Sequence, residues 1–192
     1  MEEENKKTTY LEKIVQLVVF RLDKEEYAVP VGDVQTVINM VDITPIPNSL
    51  SFMAGLINLR GKVISVIDLE KRFDLHRDNP DIKPQHIMVI DAVESPFGVM
   101  VDEVVEVLRV PNEAIQATPG TVSSKIGAEY ISGVIIMDEE NGKEIIDKSK
   151  EVNLVNDLHS AKQRIVLILN LKEAFTEEEK KKISQVKNDN LS

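Results

Sequence analysis

Residues 54–67 read AGLINLRGKVISVI: two apolar runs, Ala54 to Leu59 and Val63 to Ile67, joined by Arg60-Gly61-Lys62. β-Branched side chains are stiff at χ1 and suit a pleated, half-buried surface, while Gly61 supplies the positive φ that a tight hairpin needs. Runs of the same kind recur at residues 15–22, 27–31, 86–91, 97–101, 104–110, 130–137 and 164–169, bounded by Gly, Pro, Asn or Asp. The whole chain shares the bias, with 24 Val and 20 Ile against 15 Leu. Nine short strands at this spacing, without long amphipathic helices between them, predict a mainly β fold of closed or nearly closed antiparallel barrels.

Local signals refine this. The first two runs, separated by Asp23-Lys24-Glu25-Glu26, predict a hairpin with a polar loop. As one strand the stretch from Phe97 to Val110 would measure ~45 Å, too long for a small barrel, so a bend is expected near Asp102-Glu103. Apolar residues at 31, 34, 37 and 38 form a helical stripe over 31–39. Thr176 and Glu179 have the spacing of a capping box, opening a C-terminal helix with a thin apolar stripe of Ile183 and Val186. Residues 138–163 break the strand rhythm. Eleven of their 26 side chains are Asp, Glu, Lys or Arg, and Ile145, Ser149, Val152, Val155 and His159 fall at the spacing of a marginal surface helix. No internal sequence repeat is visible.

Composition excludes several functions. The chain has no Cys and no Trp, so disulfides, thiolate nucleophiles and Cys-ligated metals are ruled out. With 33 acidic and 23 basic residues the net charge is −10, which repels nucleic acid and anionic lipid. Apolar stretches of five or six residues and a charged N-terminus predict neither a membrane span nor a signal peptide, so the expected compartment is the cytoplasm.

Catalytic signals are sparse. His76, His86 and His159 lie far apart in unrelated settings, and no phosphate loop, zinc motif or nucleophile elbow occurs. Asp68, Asp91 and Asp102 each follow an apolar strand. They serve either as turn residues, since Asp satisfies turn amides, or as paired acids in a small carboxylate-dependent hydrolase. Arg60 also has two readings: a solvated residue of a tight hairpin, or an Arg fork presented to a carboxylate on another chain.

The segment GLINLRGKVISVIDLEKRF, residues 55–73, resembles the Gly-x-x-Asn-Leu-Arg-Gly signature of the CheW family of bacterial chemotaxis adaptors. Residues 17–38, FGVMVDEVVEVLRVP (97–111), EYISGVI (129–135) and RIVLILNLKEAF (164–175) agree with the family in order. The resemblance implies two intertwined five-stranded SH3-like β-barrels with a short C-terminal helix. The expected division is a flexible tail 1–13, a CheW-like domain 14–175 and a helix and tail 176–192. Within that domain the first barrel is expected at about 14–80 and the second at about 81–175, the latter carrying the insertion 138–163.

It further implies a non-catalytic scaffold, without cofactor or metal. Such a scaffold bridges the cytoplasmic tips of methyl-accepting chemoreceptors to the regulatory domain of the histidine kinase CheA, and is a monomer when isolated. Carried over residue by residue, the receptor-facing set is Val31, Val34, Gly55, Asn58, Arg60 and Gly61, with Ile87, Val104 and Val107 lining a groove from the second barrel. Thr36 stands where family members often have an acid. A CheV-like coupling protein would need a receiver domain, for which the 17 residues after Phe175 leave no room.

Overall fold

The structure, a computed structural model, describes residues 13–77, 80–91, 95–117, 126–138 and 163–189. The expectations for the N-terminal tail, for His159 and for the body of the insertion, including Ile145, Val152 and Val155, lie outside these residues.

Ten strands are present among the described residues: β1 Ile14–Leu22, β2 Glu25–Pro30, β3 Val34–Asn39, β4 Met53–Leu59, β5 Lys62–Asp68, β6 His86–Ile90, β7 Phe97–Val101, β8 Glu103–Pro111, β9 Ile131–Asp138 and β10 Gln163–Leu169. Two helices, α1 Leu69–Phe73 and α2 Glu177–Asp189, and three short 3-10 turns complete the regular structure of the described residues. All nine predicted strands appear, and the bend expected near Asp102 separates β7 from β8. The helical stripe over 31–39 is a misreading. Only Val31–Asp33 turn as a 3-10 helix, and Val34–Asn39 is a strand. A bulge between Val34 and Thr36 in the pairing with β6 explains the false period, because an extra residue shifts the phase of alternation. Val34 and Val37 thereby face one core while Ile38 faces another.

The strands form two five-stranded sheets, β8-β1-β2-β10-β9 and β3-β6-β7-β5-β4. Among the described residues each closes on itself through one isolated bridge. Gln116, just past β8, exchanges both backbone bonds with Val134 on β9, and Thr44, past β3, does the same with Leu56 on β4. We call these rings barrel A and barrel B.

Barrel B is built from five consecutive strands, β3 to β7, and barrel A from the first two strands and the last three. The β1–β2 hairpin joins β8, β9 and β10, while the β6–β7 hairpin joins β3, β4 and β5. In both, the hairpin's first strand pairs antiparallel (β1 with β8, β6 with β3) and its second pairs parallel (β2 with β10, β7 with β5). The architecture therefore repeats although the sequence does not. A cut near residue 80 does not separate the barrels, contrary to the expected boundaries of 14–80 and 81–175, because β1 and β2 belong to the later ring and β6 and β7 to the earlier.

Successive side chains of a strand point to opposite faces, and here both faces are buried. On β1, Leu17 and Val19 fill barrel A while Val18, Phe20 and Leu22 enter a core between the barrels. β10 behaves alike, with Val166 and Ile168 inside barrel A and Leu167 and Leu169 in the common core. In barrel B, Ile57, Ile64, Val66 and Ile87 form the interior, and Ile67, Met88 and Ile90 face the common core. Burial on both faces is the reason the strands read as continuous Val/Ile runs rather than as an alternation.

The C-terminal segment returns from β10 to barrel B. The predicted capping box is formed: Thr176 Oγ1 accepts from Glu179 N at 3.2 Å and Glu179 Oε2 accepts from Thr176 N at 2.8 Å. Ile183 is buried against barrel B, where Ser65 Oγ donates to its carbonyl at 2.8 Å; the Val186 side chain lies outside the described set. Arg72 of α1 anchors the approach, its guanidinium lying 5.2 Å from the Phe52 ring centroid and 5.5 Å from those of Tyr130 and Phe175 while Nε donates to Ala174 O. Among the described residues no helix is long and apolar enough to cross a membrane.

Candidate functional site

The β4–β5 hairpin forms as its sequence requires. Leu59 and Lys62 are register partners, leaving Arg60 (φ 53°) and Gly61 (φ 82°) as a two-residue loop with positive φ at both positions, the sign of a type I′ turn. Asn58 Oδ1 accepts from Gly61 N at 2.9 Å and holds the loop. Asn or Asp would suit the first loop position; an Arg there costs about 1 kcal/mol of left-handed strain. Turn chemistry therefore does not account for Arg60, whose side chain projects exposed from the tip.

Gly55 acts one strand earlier. Its φ is +147°, and a Cβ there would collide with the Thr44 carbonyl and reach Ile43 Cγ2 at 2.8 Å. The absent side chain lets the 43–44 segment bridge β4 and close barrel B. Beyond that single bridge the seam opens into a cavity of about 790 Å³, lined by Ile38, Val41 and Thr44 on one side and by Leu56, Asn58 and Leu59 on the other.

The remaining members of the sequence-derived set form a second group. Val31, Val34 and Val104 are half-buried against the common core, at the points where the chain enters β3 and β8. Val107, paired with Val18 on β1, is 54% exposed, the most exposed of four large apolar side chains that face solvent among the described residues. Ile87 does not line a groove. It is 0% exposed in the interior of barrel B, because its strand is covered on both faces, so it supports the surface from beneath. The set thus resolves into the rim of the common core (Val31, Val34, Val104, Val107) and the hairpin tip (Asn58, Arg60, Gly61), with Gly55 structural and Ile87 internal.

The three strand-end Asp residues stand in three separate settings. Asp68 caps α1, accepting from the amides of Glu70 and Lys71. Asp91 is exposed, and its own amide donates to Asp33 O. Asp102 is buried, accepting from Asp23 N at 2.7 Å and pairing with Arg77. Burial raises the Glu70 carboxyl above its usual range, partly countered by Arg77 alongside. Among the described residues no three His, Cys, Asp or Glu side chains are grouped to hold a metal ion.

A second charged set closes one mouth of barrel A. Arg21 on β1 bridges Glu26 and Glu103, and Arg164 on β10 bridges Glu26 and Glu106. Arg72, Arg77 and this ring were not singled out from the sequence. Nothing in one dimension separates an Arg that stacks on three rings from one that is solvated.

A family model described as CheW-like domain matches residues 16–179. The chain is 32% identical to the chemotaxis protein CheW of Treponema pallidum, over 62% of this chain and 72% of that one. It is 35% identical to the chemotaxis protein CheW of Thermotoga maritima, over 60% and 74% respectively. The crystal structure of the scaffolding protein TtCheW from Thermoanaerobacter tengcongensis superposes with a TM-score of 0.64 at 26% identity, covering 91% of this chain and 96% of that one.

Proposed function

The chain belongs to the CheW-like domain family and is a chemotaxis adaptor of the scaffold type; from that premise we propose that it couples methyl-accepting chemoreceptors to the histidine kinase CheA. The receptor tip, a helical partner, meets the rim of the common core through Val31, Val34, Val104 and Val107 and the hairpin tip through Asn58, Arg60 and Gly61. The kinase's regulatory domain meets another surface. The protein works in the cytoplasm, recruited to arrays beneath the membrane, without cofactor or turnover of its own.

Arg60 carries this reading. A bulky cation is held at a left-handed position where the turn favours Asn or Gly, on a rigid hairpin beside an open apolar seam. Exposed Val107 adds an apolar contact of the kind that docking desolvates. The mechanism is geometric: two rigid barrels hold receptor and kinase at a fixed separation, so that a small receptor movement reaches the kinase.

A pull-down with a receptor cytoplasmic fragment, and separately with the kinase regulatory domain, tests the proposal. Capture of both supports it. Failure to retain either at micromolar concentrations would sink it.

A further inference from the structure

The common core between the barrels is apolar, and apolar contacts are non-directional: they hold two bodies together without setting their angle. Charged groups interrupt that boundary: Arg72 among the rings of Phe52, Tyr130 and Phe175 and, more deeply buried, Asp102. Asp102 stands where the chain passes from β7 of barrel B to β8 of barrel A and is only 6% exposed. Its Oδ2 accepts from Asp23 N at 2.7 Å, in the turn of the β1–β2 hairpin that belongs to barrel A. Its own amide donates to Arg21 O on the same hairpin.

From the other side comes Arg77, whose side chain is 12% exposed. Its NH2 donates to Asp102 Oδ1 at 2.7 Å and its NH1 to Oδ2 at 3.1 Å, a bidentate fork. The same guanidinium donates to Glu70 Oε2 at 2.6 Å on α1, which continues directly from β5 of barrel B, and to Ile82 O on the approach to β6. One carboxylate and one guanidinium therefore tie two elements of barrel B to the hairpin of barrel A.

We infer that the Asp102–Arg77 pair is a positioning device that sets the alignment of the two barrels. A planar fork on a carboxylate has a narrow range of allowed geometry. The desolvation of two buried charges offsets most of their attraction, so the pair adds little net stability and much directional constraint. Burial opposes the Arg77 charge, and its hydrogen bonds and attraction to Asp102 and Glu70 together outweigh that opposition. The claim about alignment stands without the function proposed above; only its consequence for receptor binding rests on that reading.

Because the chain lacks cysteine, spin labels are introduced cleanly at Lys62→Cys on barrel B and Glu113→Cys beside β8 on barrel A, both exposed positions. Pulsed dipolar spectroscopy on the full chain then reads the distance between barrels with no partner present. Asp102→Asn keeps an acceptor for Asp23 N while removing the charge. It should roughly double the width of the distance distribution or displace its maximum, with the melting temperature lowered by less than about 15 °C, the loss that goes with removing one partner of a buried pair. Should that chain fail to fold, Arg77→Gln combined with Asp102→Asn leaves no buried charge of the pair unpaired, and the same broadening is expected of it. An unchanged distribution in whichever variant folds overturns the inference, as does a melting-temperature loss beyond that bound with the distance preserved, the signature of a merely structural pair. In the binding arm, broadened variants should hold the receptor fragment several-fold more weakly. If the unaltered chain binds no receptor, the proposed function fails and the distance result remains.

Discussion

Gly55 on β4 and Gly133 on β9 hold corresponding places in the two barrels: each faces the segment whose single bridge closes its ring, Ile43-Thr44 for one and Ile115-Gln116 for the other. Their surroundings differ in stiffness. A Cβ on Gly55 would meet backbone and sits at φ +147°, whereas one on Gly133 would meet Ile115 Cγ2 at 2.5 Å, a side-chain atom able to rotate away, and Gln116 O at 3.2 Å. Gly55→Ala should therefore cost about 2–4 kcal/mol and Gly133→Ala about 1–2 kcal/mol. Urea unfolding of the two variants checks the ordering; equal costs would contradict it.

Arg60 separates stability from binding. At φ 53° an Asn is more comfortable than an Arg, so Arg60→Asn should leave the fold unharmed or stabilise it by a few tenths of a kcal/mol. If the side chain is an interface residue, Arg60→Asn and Arg60→Ala should both weaken receptor binding by about 1–3 kcal/mol, and Arg60→Lys should not restore it fully. Calorimetric titration with a receptor fragment, beside a thermal melt, distinguishes the cases. Lost stability with intact binding would assign Arg60 to the turn alone.

The strands flanking the charged insertion remain in register to their ends, with Met137 opposite Arg164 and Asp138 opposite Gln163. A two-residue Asn-Gly loop suits such a pair, and loop length is entropically cheap, each doubling adding only ~0.6 kcal/mol. Replacing residues 139–162 by Asn-Gly should yield a folded adaptor whose affinities stay within about threefold, ~0.7 kcal/mol. Selective loss of one partner would point to a contact made by the insertion.

Thr176 closes the capping box of α2. Thr176→Ala should lower stability by about 1 kcal/mol and speed amide exchange in α2 before the barrels. Uniform exchange throughout the chain would show that α2 does not open separately.

Burial raises the Glu70 pKa above its ordinary 4.5, so the folded chain holds that proton more tightly than the unfolded chain does. Its stabilising contribution is complete below about pH 4.5 and is lost as pH rises through the raised value. Glu70→Gln should match the parent in acid and gain on it toward neutral pH. Paired denaturation curves from pH 4 to 7 test the sign; a growing deficit would reverse it.

The linear pattern determined most of what is local. Stiff β-branched runs bounded by turn formers located nine strands, and Thr176 and Glu179 announced a capping box, because each signal is spent within a few residues of where it is written. The motif 55–73 carried the family. What lay beyond reach depends on which residues meet across the chain. A bulge at Val34–Thr36 gave β3 a helical period that pairing with β6 alone resolves. The topology sent β1 and β2 to the ring of β8, β9 and β10 rather than to that of β3, the next strand in sequence, since backbone hydrogen bonds are satisfied by whichever edge the topology presents. Two-sided burial turned Ile87 from a surface candidate into core. In sequence Asp102 reads as a turn residue or a paired acid, and Arg77 as an ordinary charge in a polar stretch; tertiary structure set them fork to fork, where exclusion of water makes their geometry, rather than their charge alone, the quantity that matters.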